Sequence, residues 1–99
     1  MYYVYDYSYL IDKISDFFNK STYIQNINEL AKLLNANTYR VKRILEHSDA
    51  CFLQSEISTM IKELNISCDE YDKCFNTIIK SFRYKKDLYE YLKLNEEER

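Results

Sequence analysis

Apolar residues return along most of this chain at the three- and four-residue spacing of an α-helix, and along its first nine residues they do not. Leu10, Ile11, Ile14, Phe17 and Phe18 form the i, i+3, i+4, i+7 stripe of a helix with one face against a core. After a connector over 19–25, the small and apolar residues Leu30, Ala31, Leu34, Ala36, Val41 and Ile44 fall where two short helices cross steeply over a tight turn. Leu53, Ile57, Met60, Ile61 and Leu64 predict a fourth helix. A fifth begins at Ser67 with Glu70, a capping box, and its stripe runs through Tyr71, Cys74, Phe75, Ile78, Ile79 and Phe82. A last amphipathic helix carries Leu88, Tyr91 and Leu92 and starts near Lys86 or Asp87. The expectation is an all-α fold, a five- to six-helix bundle in one domain, with a core over 10–75 and a helical extension over 76–99.

The N-terminus has a different period. Tyr3, Tyr5, Tyr7 and Tyr9 alternate with Val4, Asp6 and Ser8, which suits an extended arm or short strand with one aromatic face. Tyrosines offer large contact area at low entropic cost, so one reading of 1–9 is an interface. The other is an extension of the first helix, or an arm folded onto its own domain.

The stretch Asn26 to Glu46, NINELAKLLNANTYRVKRILE, reads as a helix-turn-helix. Asn26 and Glu29 have capping-box spacing, and Ala31 is small at the helix crossing. Asn35-Ala36-Asn37 forms the turn, since Asn best tolerates a left-handed backbone among non-glycine residues, and Asn37 can cap the next helix. In that helix Val41, Ile44 and Leu45 face inward, which leaves Thr38, Tyr39, Lys42 and Arg43 outward. Those types suit a DNA major groove: Lys and Arg reach phosphates or guanine edges, Asn37 pairs with adenine, and Thr38 or Tyr39 meets a thymine methyl.

The resemblance continues through FLQSEISTMIKELNISCDEY, Phe52 to Tyr71. From about Leu10 to about Phe75 the chain resembles the Cro and phage-repressor type of helix-turn-helix domain, the xenobiotic-response-element-like class. Leu64 to Ser67 with Asp69-Glu70 is similar to that family's junction between its last two helices. The resemblance implies an all-α DNA-binding domain, usually dimeric, that regulates transcription in phages, plasmids and bacterial operons; in such a dimer two recognition helices related by a two-fold axis would meet an inverted repeat in double-stranded DNA. The chain departs from the pattern at Asn35, where the family has Gly, and at Ile27, where it often has a phosphate-contacting Gln. The loop Glu46-His47-Ser48-Asp49 is acidic where the family's is often basic.

The absence of any Gly or Pro disfavours hairpins and loop-rich folds and points to Asn, Ser and Asp turns. A composition 46% hydrophobic and 30% charged is that of a folded chain. The net charge of −2 is unlike a non-specific nucleic-acid coat protein, so local charge matters more. Arg40, Lys42 and Arg43 form one basic patch, and Lys80, Arg83, Lys85 and Lys86 a second that adds phosphate contacts if the fold brings them together, or else is a solvated flank. Glu96-Glu97-Glu98 reads as a frayed, solvated end.

Cys51, Cys68 and Cys74 have no metal-ligand spacing and His47 is the single imidazole, so no metal or cofactor is expected, and Cys51 and Cys74 read as packed thiols in a reducing cytoplasm. No stretch suits a membrane span or signal peptide. No nucleophile has a plausible base partner and no glycine-rich phosphate loop exists, which argues against an enzyme. The expected function is a small sequence-specific DNA-binding regulator, cytoplasmic in a bacterial host cell. It should act as a homodimer through Ile78, Ile79, Phe82, Leu88, Tyr91 and Leu92. The competing reading is a protein-binding inhibitor of a host defence or host enzyme, built on the same scaffold.

Overall fold

Without glycine, this chain must leave its helices through residues that carry a Cβ. It does so at Asn19, Asn35, Ser48 and Asn65, whose φ angles of 53°, 52°, 57° and 54° all lie in the left-handed region. At the three Asn positions the following N–H closes the helix end onto a carbonyl five residues back: Lys20 to Ser15 at 3.3 Å, Ala36 to Ala31 at 2.9 Å and Ile66 to Ile61 at 3.0 Å. The computed structural model describes residues 1–97, with side chains through Leu94. In chain order the elements are β1 (Tyr2–Tyr5), α1 (Ser8–Phe18), α2 (Tyr23–Leu34), α3 (Thr38–His47), α4 (Gln54–Glu63), α5 (Cys68–Phe75), β2 (Ile78–Phe82) and α6 (Lys85–Glu97). The acidic run Glu96-Glu97-Glu98 lies outside the described side chains.

Helices α1 to α5 surround one core, in which Leu10, Ile14, Leu30, Val41, Ile44, Met60 and Cys74 are fully buried. Tyr7, Phe52 and Phe75 extend it with edge-on ring contacts at 5.7 and 6.3 Å. The helix starts are local and follow the sequence with one exception. Ser67 and Glu70 cap α5 reciprocally, but α2 begins three residues before Asn26, at Tyr23, because Thr22 Oγ1 accepts the Gln25 N–H at 3.2 Å. Asn26 is therefore an interior helix residue and is buried.

The C-terminal third corrects the all-α expectation. Helix α5 stops at Phe75, where Asn76 Nδ2 bonds Asp72 Oδ1 and Thr77 Oγ1 donates to the Asp72 and Lys73 carbonyls. Ile78–Phe82 then pairs antiparallel with β1, in the register Tyr2 to Phe82, Tyr3 to Ser81, Val4 to Lys80 and Tyr5 to Ile78, which leaves Ile79 as a bulge. The apolar run that fits a helix stripe also fits a strand, and its β-branched residues favour the strand once the tyrosine arm supplies a partner. The arm thus folds onto its own domain, and the described residues form six helices and one two-stranded sheet. The described part of the expected helical extension over 76–99, residues 76–97, holds a strand and a helix.

Helix α6 covers the sheet. Leu88 and Leu92 are buried against Val4, with Phe82 and Tyr91 half-buried beside them at 5.4 Å between ring centres. This removes Leu88 and Leu92 from the expected dimer surface, because their apolar area is spent within the chain. Ile78 and Ile79 remain exposed. No helix among the described residues is long and apolar enough to cross a membrane.

Two outcomes are expected. Asn35→Gly should be neutral or slightly stabilising in thermal melts, while Asn35→Ala should lose about 1 kcal/mol, because the left-handed backbone penalises a Cβ that gains nothing in return; equal losses would assign the effect to the Asn side chain. In native-state hydrogen exchange, amides of β1, β2 and α6, held by a three-residue core cluster, should exchange faster than those of α1 to α5.

Candidate functional site on helix α3

The turn at Asn35 sends the chain from α2 into α3, and Asn37 fixes where α3 begins. Asn37 Oδ1 accepts the Tyr39 N–H at 2.8 Å and the Arg40 N–H at 3.4 Å, so that oxygen is engaged by the helix and is not presented outward. Val41, Ile44, Leu45 and His47 turn inward, and Thr38, Tyr39, Lys42 and Arg43 are exposed, with Tyr39 at 74%. An open depression at the α2–α3 turn joins Asn28 and Lys32 of α2 to Asn37 and Thr38.

Two arginines are held by acids that the sequence did not connect to them. Arg40 leans onto α4 and binds Glu56 through two parallel N–H···O contacts, at 2.5 and 2.8 Å. Glu56 is itself buried and also accepts the Leu53 N–H at 2.8 Å, so one carboxylate caps α4 and clamps α3. Its pKa is lowered chiefly by Arg40, against the opposing effect of burial. Arg40 therefore belongs to the α3–α4 junction and not to the outward face. Arg43 binds Asp49 through Nε at 3.2 Å and through a second, close Nη2 contact. The acidic loop after α3 is turned onto this arginine, and the Asp49 carboxylate is 8% exposed.

Of the second basic patch, Lys80 is exposed on β2, Arg83 in the turn after it, and Lys85 and Lys86 in the first turn of α6. Cys51 and Cys68 are exposed, so the expectation of a packed Cys51 is corrected. Cys74 is buried and its thiol is pushed up to about 11, first by desolvation and then by Glu70. No group of three potential metal ligands occurs among the described residues.

On the far side of the core, Glu70 joins α1 to α5. It accepts Tyr9 Oη at 2.6 Å, pairs with Lys13 Nζ at 2.7 Å and takes the Ser67 N–H at 3.2 Å. Lys13, then Tyr9, then the Ser67 amide hold its pKa down at about 2.

No protein-family model matches the chain, and comparison with curated proteins and with solved structures finds no match either. The reading of α3 therefore rests on its residues alone.

The two carboxylates set the acid limit. A pKa lowered by folding contributes stability above the unfolded value and loses it as the pH falls through the folded one. Melting temperature should therefore fall as the pH drops from the ordinary 4.5 toward about 2. Glu56→Gln should lower stability by about 2 kcal/mol at neutral pH, since it leaves a charge-assisted pair half-made, and should remove the share of the acid loss that comes from Glu56 while leaving that of Glu70. A variant that melts like wild type at pH 7 would remove the clamp from the account.

Proposed function

We propose that α2 and α3 form a helix-turn-helix and that the protein is a small DNA-binding regulator, with α3 entering the major groove. The observation that carries this reading is the outward set Thr38, Tyr39 and Lys42 on a helix fixed at both its start and its flank. Asn37 sets the first turn and the Arg40–Glu56 pair ties α3 to α4, so the exposed side chains ride on a rigid element. Tyr39 and Thr38 meet base edges and thymine methyls, and Lys42 reaches a phosphate or a guanine.

The regulator acts as a homodimer on this reading, through the open edge of β2, where Ile78 and Ile79 are exposed. Two copies of α3 related by a two-fold axis then meet successive major grooves, on an inverted repeat with half-sites about 10 base pairs apart. A monomer at high micromolar concentration in analytical ultracentrifugation removes this part.

One observation favours a second reading. Both arginines expected to supply positive charge are neutralised by acids, and the chain carries a net charge of −2. A surface of that kind suits a protein partner, and the scaffold would then serve as an inhibitor of a host protein.

Selection from a random duplex library at low salt separates the two. Enrichment of one short sequence is expected, with Lys42→Ala weakening all duplexes alike and lowering the salt slope by about 1. Asp49→Asn should tighten binding by releasing Arg43 toward the DNA, and Arg43→Ala in that background should remove the gain. Failure to enrich any sequence supports the protein-binding reading, and full binding by Lys42→Ala/Arg43→Ala removes α3 as the helix that reads the groove.

A further inference from the structure

The C-terminal helix does more than cover the sheet. Its exposed residues Lys85, Tyr89 and Lys93 recur every fourth position, so they form one stripe on α6. Lys85 Nζ lies 5.5 Å from the centre of the Tyr89 ring, which places the cation over the aromatic face. The other end of the stripe reaches α3: a hollow of about 190 Å³ is lined by Arg43, His47 and Asp49 on one side and by Tyr89, Leu92 and Lys93 on the other. Arg43 and Lys85, one member of each basic patch of the sequence, are therefore connected in space through Tyr89 and Lys93, which the sequence pattern did not single out. Glu90 stands one turn from both Lys86 and Lys93 on the same helix, and Glu97 follows Lys93 by four positions, so acids flank the far end of the stripe in the sequence.

On the reading of α3 as a major-groove helix, we propose that the Lys85–Tyr89–Lys93 stripe is a second DNA-binding surface that grips the sugar–phosphate backbone beside the groove. Eight residues of helix separate the two ammonium groups' backbone positions by about 12 Å, which equals three to four base steps of about 3.4 Å each measured along the duplex axis. Cations at that interval, with a tyrosine between them whose hydroxyl can donate to a phosphate, match a polyanion and carry no sequence information. Arg43 stands at the junction of the two surfaces.

Binding of the duplex enriched by the wild-type protein, and of an unrelated duplex of equal length, is measured as a function of salt. Lys85→Ala/Lys93→Ala should reduce the slope of log K against log[salt] by about 2 on both duplexes and leave the ratio of the two affinities unchanged. The charge-conserving Lys85→Arg/Lys93→Arg should keep the wild-type slope, and Tyr89→Phe should bind more weakly than wild type if the hydroxyl donates. If wild type binds no duplex, the α3 reading falls and this surface with it. If Lys42→Ala weakens binding while the Lys85→Ala/Lys93→Ala slope stays at the wild-type value, the α6 surface alone is overturned. A Lys85→Ala/Lys93→Ala loss confined to the enriched duplex also overturns it, because a backbone contact acts on every sequence.

Discussion

The left-handed turns are the constraint on which the helical core depends. Each of the four places a side chain where glycine would be free of strain, and outside glycine such a backbone costs roughly 1 kcal/mol, less for Asn, whose short amide tolerates it. Against a total stability of about 5–15 kcal/mol for a domain, four such residues are a substantial fraction. They persist because each turn delivers the next helix onto the same core: Leu30 and Ala31 before Asn35, Val41 and Ile44 after it. Were the Asn35 turn to relax into the right-handed region, α3 would lose its angle to α2 and the burial of Val41 together. The carboxylate of Glu56 then secures α3 from its other side.

What was legible in the sequence is what local chemistry decides. The cap at Asn37, the reciprocal cap at Ser67 and Glu70, and the left-handed Asn35 depend on residues within three or four positions, and all are found where the pattern put them. The outward placement of Thr38, Tyr39 and Lys42 follows from helical period alone. The boundary after Phe75 was not legible, because Ile78 to Phe82 becomes a strand only through β1, at the opposite end of the chain. The pairs Arg40–Glu56 and Arg43–Asp49 were hidden for the same reason, since sequence period places a charge on a face but does not say which acid the fold brings to it.

Those pairs change the electrostatics of the proposed interface. Exposed ion pairs contribute little to stability, but they set what a partner meets. With Arg43 tied to a nearly covered carboxylate, an incoming phosphate has to compete with Asp49 for the guanidinium, whereas Lys42 has no ion pair among the described residues. A face of this kind, on the DNA reading, attracts random duplex weakly and depends on fitted contacts at Thr38 and Tyr39 for what it binds. On that reading, discrimination at α3 would be gained by limiting the sequence-independent attraction of this one face.

The small second cluster gives the architecture its division of labour. Val4, Leu88 and Leu92 hold β1, β2 and α6 together with few buried side chains, while the larger core fixes α3. On the proposed reading, self-association at the exposed Ile78 and Ile79 and backbone contact at the Lys85–Tyr89–Lys93 stripe would both draw on this smaller cluster. Binding at either surface adds free energy to the folded form of that unit alone, by mass action. On that reading, a second copy seated on β2 and a duplex seated on α6 would each stabilise the same unit. The packing of Val4 against Leu88 and Leu92 would then link the two proposed surfaces without any change in α3.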